Sequence, residues 1–430
     1  MADIKRVPRN HASAPTRALV SWALYDWANS PFFALVITFV FSTYFAQAIV
    51  ADPIRGTVLW GYATIASGLI VAVFSPILGA VADAGGRRKP WLIAFTGVCV
   101  LASAMLWYAE PAPAHAVWAL TWVVVATVGI ELGIVFNNAM LPDLVAAPRM
   151  GRWSGWAWAL GYLGGVAALM LAFVGFIEAD NPWLGLDKAS FQHVRMVGPL
   201  VAIWLAAFSW PLFAFTPDRT PSGLAIGAGV VRGMRTLIAT LARVRDHGDL
   251  ARFLVARMLY ADGLATVFAF GGIYAAGTFG MGIDQVMVFG IVLNVTAGAG
   301  AFAFAWIDDW LGSKRTIMIA LVGLFGCALG AVVATDPSGF WFWGAFLGVF
   351  VGPAQAASRT LMARLAPAEL RTEFFGLYAL SGKATAFAGP FLVATVTAAF
   401  ESQRLGLSTV LAFFLAGFAL LFTVREPKRA

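Results

Sequence analysis

The sequence predicts an all-α integral membrane protein whose twelve transmembrane helices form two pseudo-symmetric halves of six. Of its 430 residues, 60% are hydrophobic and only 12% are charged, which excludes an ordinary soluble domain. Apolar runs of about 20 residues, the length that crosses a bilayer core, recur along almost the whole chain. A charged loop motif and a glycine-containing segment each occur twice, which indicates an internal duplication.

The twelve spans follow from the apolar runs, taken in chain order. The first run is too long, and too many others follow it, for a cleaved signal peptide. The chain divides into a tail 1–17, an N-terminal half 18–216, a linker 217–251, a C-terminal half 252–424 and a second tail 425–430. We place the spans at 18–50, 57–83, 90–109, 114–141, 153–177, 196–216, 252–278, 284–308, 314–334, 338–364, 371–399 and 406–424.

The cations predict the orientation in the membrane. With the N-terminus inside, 22 of the 29 Lys and Arg residues lie in or beside cytoplasmic segments, and Arg257, Arg359 and Lys383 lie within spans. Only the remaining four, Arg55, Lys188, Arg195 and Arg404, lie on the outer side. This asymmetry predicts a multi-pass protein of the cell (inner) membrane with both termini in the cytoplasm. Topology thus explains the net charge of +7, and nucleic acid is not an expected partner. Two cysteines, both within spans, predict neither a disulfide framework nor a metal site.

The loop after the second span carries the most specific motif, PILGAVADAGGRRKP over residues 76–90. It resembles the loop between the second and third helices of the major facilitator superfamily of secondary transporters; the alternative is an ordinary charged loop. A degraded copy, AWIDDWLGSKR, occupies residues 305–315. The resemblance implies the fold of that superfamily, a carboxylate that caps the eleventh helix, and loops that latch one conformation. The expected latch residues are Gly79, Asp83, Gly86, Arg87 and Arg88, with Asp309 and Gly312 in the second copy.

A second repeat aligns the segment from Leu144 with the segment from Leu365 without a gap. Gly155 then pairs with Gly376, and Gly161 pairs with Gly382. Parallel repeats of this size predict two similar halves around a central site.

Two short runs, YDWANSP from Tyr25 and NNAMLPDL from Asn137, precede a glycine- and tryptophan-rich segment after Arg152. Together they resemble the vacuolar effluxer family, the autophagy-related amino-acid exporters and their bacterial relatives, a branch of the superfamily. The resemblance implies a transporter that exports amino acids.

The linker alternates apolar residues with arginines between Leu224 and Val244, with Arg243 and Arg245 near its end. This pattern predicts one or two amphipathic helices at the membrane surface. Packing beneath the two halves is the favoured role, and partner binding is the alternative.

Polar residues inside the first-half spans are candidates for the functional site, because lipid excludes them unless they face a cavity or a partner. Asp26 and Asn29 share a helical face beside Tyr25. The alternative for Asp26 is a carboxylate that snorkels or caps at the cytoplasmic end. Glu131 lies mid-span with Asn138 on the same face, and Asn137 with Asn138 could instead form a helix-packing pair.

The second half supplies mainly cations. Lys383 lies near mid-membrane and should have a carboxylate partner, for which Asp262 at similar depth is the natural candidate. Arg257 is close to the end of its span and is expected to snorkel to the cytoplasm. The further candidates are Tyr260, Asn294, Gln355 and Arg359.

This charge division suggests a zwitterionic substrate, with an ammonium at Asp26 or Glu131 and a carboxylate at Arg359 or Lys383. Trp158, Tyr162 and Tyr378 could shape a pocket for an apolar or aromatic side chain. The expected mechanism is alternating access by a monomer. Glu131 makes proton coupling an option beside uniport.

Other functions have less support in the sequence. It lacks GxxxxGK[ST], so ATP hydrolysis is not expected, and no nucleophile and base stand together, so an enzyme is not expected. No cofactor is expected. Two alternatives stay open: an exporter of a larger organic solute or drug, and a non-transporting membrane receptor or assembly factor on the same fold.

Overall fold

The structure is a computed structural model that describes residues 13–223, 226–242, 248–281 and 283–426. Eleven helices among these residues are long and apolar enough to cross a membrane, and the shorter apolar helix Ala388–Phe400 lies in the remaining predicted span, the eleventh. The predicted all-α membrane fold is therefore confirmed. Expectations for residues 1–12, 224–225, 243–247 and 427–430, in the tails and the linker, lie outside the described residues. The boundaries given above for tails, halves and linker stay predictions.

The helices run in chain order with short connections. Helices α1 to α6 correspond to the predicted first half, and α8 to α14 to the second. Their bounds are α1 (Thr16–Ile49), α2 (Pro53–Gly85), α3 (Lys89–Tyr108), α4 (Pro113–Leu144), α5 (Ala147–Ile177), α6 (Gln192–Phe215), α7 (Ile226–Ala242), α8 (Gly248–Phe279), α9 (Ile283–Leu311), α10 (Ser313–Val333), α11 (Pro337–Leu365), α12 (Arg371–Ser381), α13 (Ala388–Phe400) and α14 (Gln403–Phe422).

Helix α7 lies in the linker and packs against α2. Its Leu237 is buried, whereas Val231 and Ile238 stay exposed. Gly233 lies against the α2 backbone, where a Cβ would come within 2.8 Å of the carbonyl oxygen of Ala80. The linker helix therefore has one face on the protein and leaves apolar side chains on the other.

Helix α1 is irregular where it passes the centre of the molecule. Asn29 Nδ2 donates to the carbonyl of Tyr25 (2.7 Å), and Ser30 Oγ donates to the carbonyl of Asp26 (2.8 Å). Pro31 follows directly and has no N–H to donate. From Phe32 to Phe39 the hydrogen bonds are of π-helical type. Side-chain bonds to the preceding turn and a proline both loosen the regular ladder, so the sequence itself accounts for the change.

The eleventh span differs from the continuous helix expected over 371–399. It is broken: α12 ends at Ser381, turns occupy 382–387, and α13 begins at Ala388. Gly382 has a low helix propensity and does not prolong α12. Pro390, near the start of α13, has no N–H to donate to a carbonyl of a preceding turn. Irregular backbone at membrane depth is tolerated where it is buried in protein or lines a cavity. The break therefore points to a cavity at this level.

The two halves meet through glycines that the repeat makes equivalent. A Cβ on Gly376 of α12 would lie 2.5 Å from the carbonyl oxygen of Ser75 on α2. A Cβ on Gly155 of α5 would lie 2.6 Å from the carbonyl oxygen of Ala301 on α9. Ser75 Oγ also donates to the carbonyl of Gly376 (3.0 Å). Only glycine permits these backbones to approach so closely. Glycines at equivalent positions of the repeat therefore bring α2 to α12 and α5 to α9.

These contacts lie toward the face that carries both described chain ends, which we call the terminal face. There Ser13 Oγ accepts from the amide of Ala146 (3.1 Å), and Glu426 accepts from the amides of Ser313 and Lys314, 3.1 Å each. Both described ends of the chain are therefore held at this face by hydrogen bonds to nearby helix ends or loops of the same side.

Two aspartates make equivalent links between the halves at the terminal face. Asp83 accepts from the amides of Thr372 (2.7 Å) and Glu373 (3.0 Å) at the N-terminus of α12. Asp309 accepts from the amide of Arg152 (3.2 Å) at the start of α5 and pairs with its guanidinium at 3.4 Å. A carboxylate at a helix N-terminus compensates the positive end of the helix dipole. Each half thus caps a helix of the other, although the latch role stays a prediction.

We expect Asp83→Asn to loosen the terminal face, because an amide accepts weaker hydrogen bonds from Thr372 and Glu373 than a carboxylate does. In hydrogen–deuterium exchange by mass spectrometry, peptides over 370–376 should exchange about tenfold faster, which corresponds to about 1.4 kcal/mol. Asp336→Asn is the matched control, because Asp336 caps α11 through the amide of Gly339 (2.9 Å) within one half. Unchanged exchange of α12 in Asp83→Asn would contradict the latch.

Candidate functional site

A cavity of about 510 Å³ lies between the two halves. Its walls come from α1, α4 and α5 on one side and from α8, α9, α11 and α12 on the other, and it reaches the break after α12. All the predicted substrate residues except Tyr25 and Asp262 line it. They are Asp26, Asn29, Glu131, Asn138, Trp158, Tyr162, Tyr260, Asn294, Gln355, Arg359, Tyr378 and Lys383.

Asp26 and Arg359 form an ion pair across the cavity floor. Arg359 Nη1 lies 2.7 Å from Asp26 Oδ2 and 3.2 Å from Asn138 Oδ1. Its Nε and Nη2 donate to Ser154 Oγ (2.9 Å) and to the carbonyl of Ser154 (2.7 Å). The Arg359 side chain is 3% exposed and that of Asp26 is 12% exposed. A charge buried so deeply is tolerated because its hydrogen bonds replace those to water.

Glu131 and Lys383 form the second ion pair, with 2.7 Å between Lys383 Nζ and Glu131 Oε1. This corrects the expectation that Asp262 is the partner of Lys383. Asp262 instead accepts from the amide of Gly389 (3.2 Å) at the start of α13. The break explains the difference, because it presents the Gly389 amide to Asp262 and lets Lys383 reach α4.

Both pairs join the two halves. The carboxylates belong to α1 and α4, and the cations belong to α11 and the break after α12. The division of charge expected from the sequence is therefore the arrangement observed. A movement that separates the halves at the cavity has to stretch, break or exchange these two contacts.

Arg257 lies at the cavity and does not snorkel away from it, in contrast to the expectation. Its Nη1 donates to the carbonyl of Tyr378 (2.6 Å) and to Ser381 Oγ (2.8 Å), at the C-terminal end of α12. Its guanidinium carbon lies 3.4 Å from the centre of the Tyr378 ring. The partial negative charge at the C-terminus of α12 favours the Arg257 guanidinium at this position. This interaction outweighs the cost of moving the guanidinium away from the water at the membrane surface.

The remaining cavity walls are amphipathic. Tyr260 hydroxyl and Ser358 Oγ are 2.6 Å apart, and Gln355 Nε2 donates to the Tyr162 hydroxyl (3.2 Å). Asn294 Nδ2 donates to the carbonyl of Gly290 (2.8 Å), within α9. Trp158 lies beside Tyr162 with ring centres 5.9 Å apart and planes tilted by 39°, and its indole N–H is buried without a protein partner among the described residues. A bound molecule would meet a few hydrogen-bonding groups within largely aromatic walls.

Tyr25 belongs to the core of the first half. It is fully buried, and its hydroxyl lies 2.9 Å from Thr96 Oγ1 on α3. Asn137 and Asn138 do not act as a pair: the Asn138 amide oxygen faces Arg359, whereas the Asn137 side chain is buried with no hydrogen-bond partner in the part of the chain that the structure describes. The 3.6-residue helical period puts neighbouring residues on different faces, so Asp26 and Asn138 reach the cavity, whereas Tyr25 and Asn137 do not.

The first latch loop is part of a larger ionic cluster at the terminal face. Arg88 is buried and lies 3.2 Å from Asp83 and 2.6 Å from Asp143. Arg219 and Arg371 also contact Asp143. Burial lowers the pKa of the Arg88 guanidinium, while Asp83 and Asp143 favour its charged form. Arg87 is exposed and lies 3.7 Å from Asp218.

The sequence interpretation missed two acidic caps in this region. Asp218 accepts from the amides of Arg88 (3.0 Å) and Lys89 (3.2 Å) at the start of α3, as Glu426 does for α10. Gly86 and Gly312, which precede these helices, have positive φ of 88° and 101°. The signal was available: Asp218 and Glu426 each follow the last span of a half.

The chain was compared with known proteins. The family described as "Vacuole effluxer Atg22 like" matches residues 57–430. An uncharacterized MFS-type transporter, YxiO of Bacillus subtilis (strain 168), is 25% identical over 409 residues, which cover 94% of each chain. Autophagy-related protein 22 of Coccidioides immitis (strain RS) is 26% identical over 263 residues, covering 55% of this chain and 44% of that protein.

Solved structures agree on the architecture. A double Trp mutant of XylE superposes with a TM-score of 0.75 at 13% identity, covering 97% of this chain and 98% of the other. The human organic anion transporter MFSD10 gives a TM-score of 0.70 at 15% identity, covering 94% and 99%. At these identities the likeness shows the fold alone, which is that of major facilitator transporters. Together with the family match over residues 57–430, it shows that the chain is an MFS-type transporter that belongs to the Atg22-like vacuole effluxer family.

Proposed function

We propose that the protein is a secondary transporter of an amino acid or a related zwitterion, which it exports by alternating access. The observation that carries the proposal is the cavity at the interface of the halves, where carboxylates of one half face cations of the other. A zwitterion carries both charges and can therefore exchange with such pairs. The name of the effluxer family supports export.

The ion pairs leave acceptors available to an ammonium group. Arg359 and Lys383 engage Asp26 Oδ2 and Glu131 Oε1, and the other carboxylate oxygens have no hydrogen-bond partner among the described residues. An ammonium at Glu131 would weaken the hold of that carboxylate on Lys383. Aromatic walls at Trp158 and Tyr162 suit an apolar or aromatic side chain and can also stabilise a cation.

Alternating access would start from the conformation described here. The terminal face is closed, and the cavity extends away from it to Thr38 on α1 and Phe268 on α8. The distribution of Lys and Arg supports a cytoplasmic terminal face, so this conformation would face the outside of a cell membrane. Opening the terminal face requires the Asp83 and Asp309 caps to separate. The strength of the two central ion pairs then contributes to the free energy of the conformational change.

A larger organic solute or drug is the second candidate. The volume of about 510 Å³ falls within the range of pockets for drug-sized ligands. Phe33, Phe39 and Phe268 add apolar surface that a small amino acid would leave uncovered. For such a substrate, binding would depend on the aromatic walls more than on the ion pairs.

We expect a subset of the proteinogenic amino acids to raise the melting temperature of the purified protein, because a ligand that binds only the folded state stabilises it. Glu131→Gln and Lys383→Ala should remove this stabilisation. The first removes the carboxylate proposed to accept the ammonium group, and the second leaves that carboxylate without its partner. The measurement is a thermal-shift titration of parent and variants with each amino acid.

Glu178→Gln and Lys188→Ala are matched controls, because both residues are exposed and lie outside the cavity. They should respond to the amino acids as the parent does. Stabilisation that persists in Glu131→Gln and Lys383→Ala would reject the role of this ion pair. Stabilisation by no amino acid would reject the substrate class and favour a larger solute or a receptor that does not transport.

We propose proton coupling at Glu131, because protonation of this carboxylate would release Lys383 in the same way as a bound ammonium. In proteoliposomes with a pH-sensitive dye inside, a gradient of a stabilising amino acid should drive protons in the opposite direction. Glu131→Gln should abolish this proton flux, and Glu178→Gln should preserve it. Amino-acid flux without proton flux in the parent would instead identify a uniporter.

A further inference from the structure

The cavity holds one cation more than its carboxylates can pair. Asp26 and Glu131 are engaged by Arg359 and Lys383, whereas Arg257 forms no ion pair with any described carboxylate. Asp262 lies on the same helix, but it is buried against the amide of Gly389 and does not line the cavity. A guanidinium without a counter-charge at a water-accessible cavity attracts an anion.

The guanidinium of Arg257 is held in place with donors to spare. Both of its hydrogen bonds, to the Tyr378 carbonyl and to Ser381 Oγ, use Nη1. Its plane is fixed against the Tyr378 ring, 3.4 Å from the ring centre, and Tyr378 packs edge-on against Phe375. Nε and Nη2 have no partner among the described residues, and the side chain borders the cavity. A guanidinium stacked on an aromatic ring with free N–H donors is suited to binding a carboxylate.

Gly382 contributes to this arrangement. A Cβ at this position would lie 3.0 Å from Nη1 and 3.2 Å from Nη2 of Arg257. The repeat pairs Gly382 with Gly161, where a Cβ would lie 2.9 Å from Ser30 Oγ on α1. At both positions the missing side chain leaves room for a polar group at the cavity wall.

We propose that Arg257 binds the carboxylate of the transported solute, so that the substrate is an organic acid or the acid end of a zwitterion. The inference rests on the proposed transport function. It assigns the binding of the substrate carboxylate to Arg257 instead of Arg359 or Lys383. Those two cations are paired with protein carboxylates, so a substrate carboxylate would have to displace one of them. At Arg257 it displaces no ion pair.

A purely structural role is the competing explanation, because Arg257 also caps the C-terminal end of α12. Arg257→Lys keeps the positive charge, and Arg257→Gln keeps a hydrogen-bond donor without the charge. Arg252→Gln is the matched control on the same helix, at an exposed position. Comparing melting temperatures of the variants without ligand separates loss of the cap from loss of binding.

The experiment titrates the purified full-length protein with phenylalanine, phenylalaninamide and 3-phenylpropionate, using isothermal calorimetry. The three probes share one ring, and only the first and third carry a carboxylate. We expect the parent, Arg257→Lys and Arg252→Gln to bind 3-phenylpropionate, and Arg257→Gln to bind it at least about tenfold more weakly. Phenylalaninamide should bind at least about tenfold more weakly than phenylalanine.

Two outcomes overturn the inference. One is equal binding of phenylalaninamide and phenylalanine, which rejects the carboxylate site but keeps an amino-acid cavity. The other is no binding of 3-phenylpropionate, or binding to Arg257→Gln as tight as to the parent. Binding of 3-phenylpropionate through Arg257 without binding of phenylalanine would support the inference while rejecting the amino-acid proposal.

Discussion

Two ion pairs between the halves, Asp26 with Arg359 and Glu131 with Lys383, are the constraint on which the rest of the structure depends. A charge at membrane depth needs a partner, and these partners lie on opposite sides of the interface. The two halves therefore hold together at their centre through contacts that are specific and yet exchangeable. Hydrophobic packing alone could not do this, because lipid is as apolar as the helices it surrounds.

At the terminal face, the two copies of the repeat use equivalent carboxylates to cap equivalent helices. Asp83 caps α12 and Asp309 caps α5, each across the interface, while Asp218 and Glu426 cap α3 and α10 from the segments that directly follow each half. Every one of these carboxylates meets amide groups that a helix N-terminus leaves unpaired. Of these contacts, those of Asp83 and Asp309 cross the interface, so they are the ones that separate when the halves move.

The sequence predicts the fold well because length and polarity decide it. Spans of about 20 apolar residues can only be helices across a bilayer, and the repeat identifies Gly155 and Gly376 as equivalent contacts. Partners within the site were harder to predict. Asp262 and Lys383 have the right depth for a pair, but a break in the backbone turns them toward Gly389 and Glu131. Depth along a span is readable from a sequence, whereas the direction of a side chain beyond an irregular segment is not.

Helix α12 connects the central site to the terminal face. It has 11 residues and is therefore about 16 Å long, with Asp83 at its N-terminus and Arg257 at its C-terminus. Both charges complement the helix dipole, and they belong to different halves. A carboxylate on Nε and Nη2 of Arg257 partly neutralises the guanidinium that also caps α12 through Nη1, and so it weakens that cap. Because a short helix moves as a rigid body, a displacement of its cavity end would also displace the Asp83 contact at the terminal face.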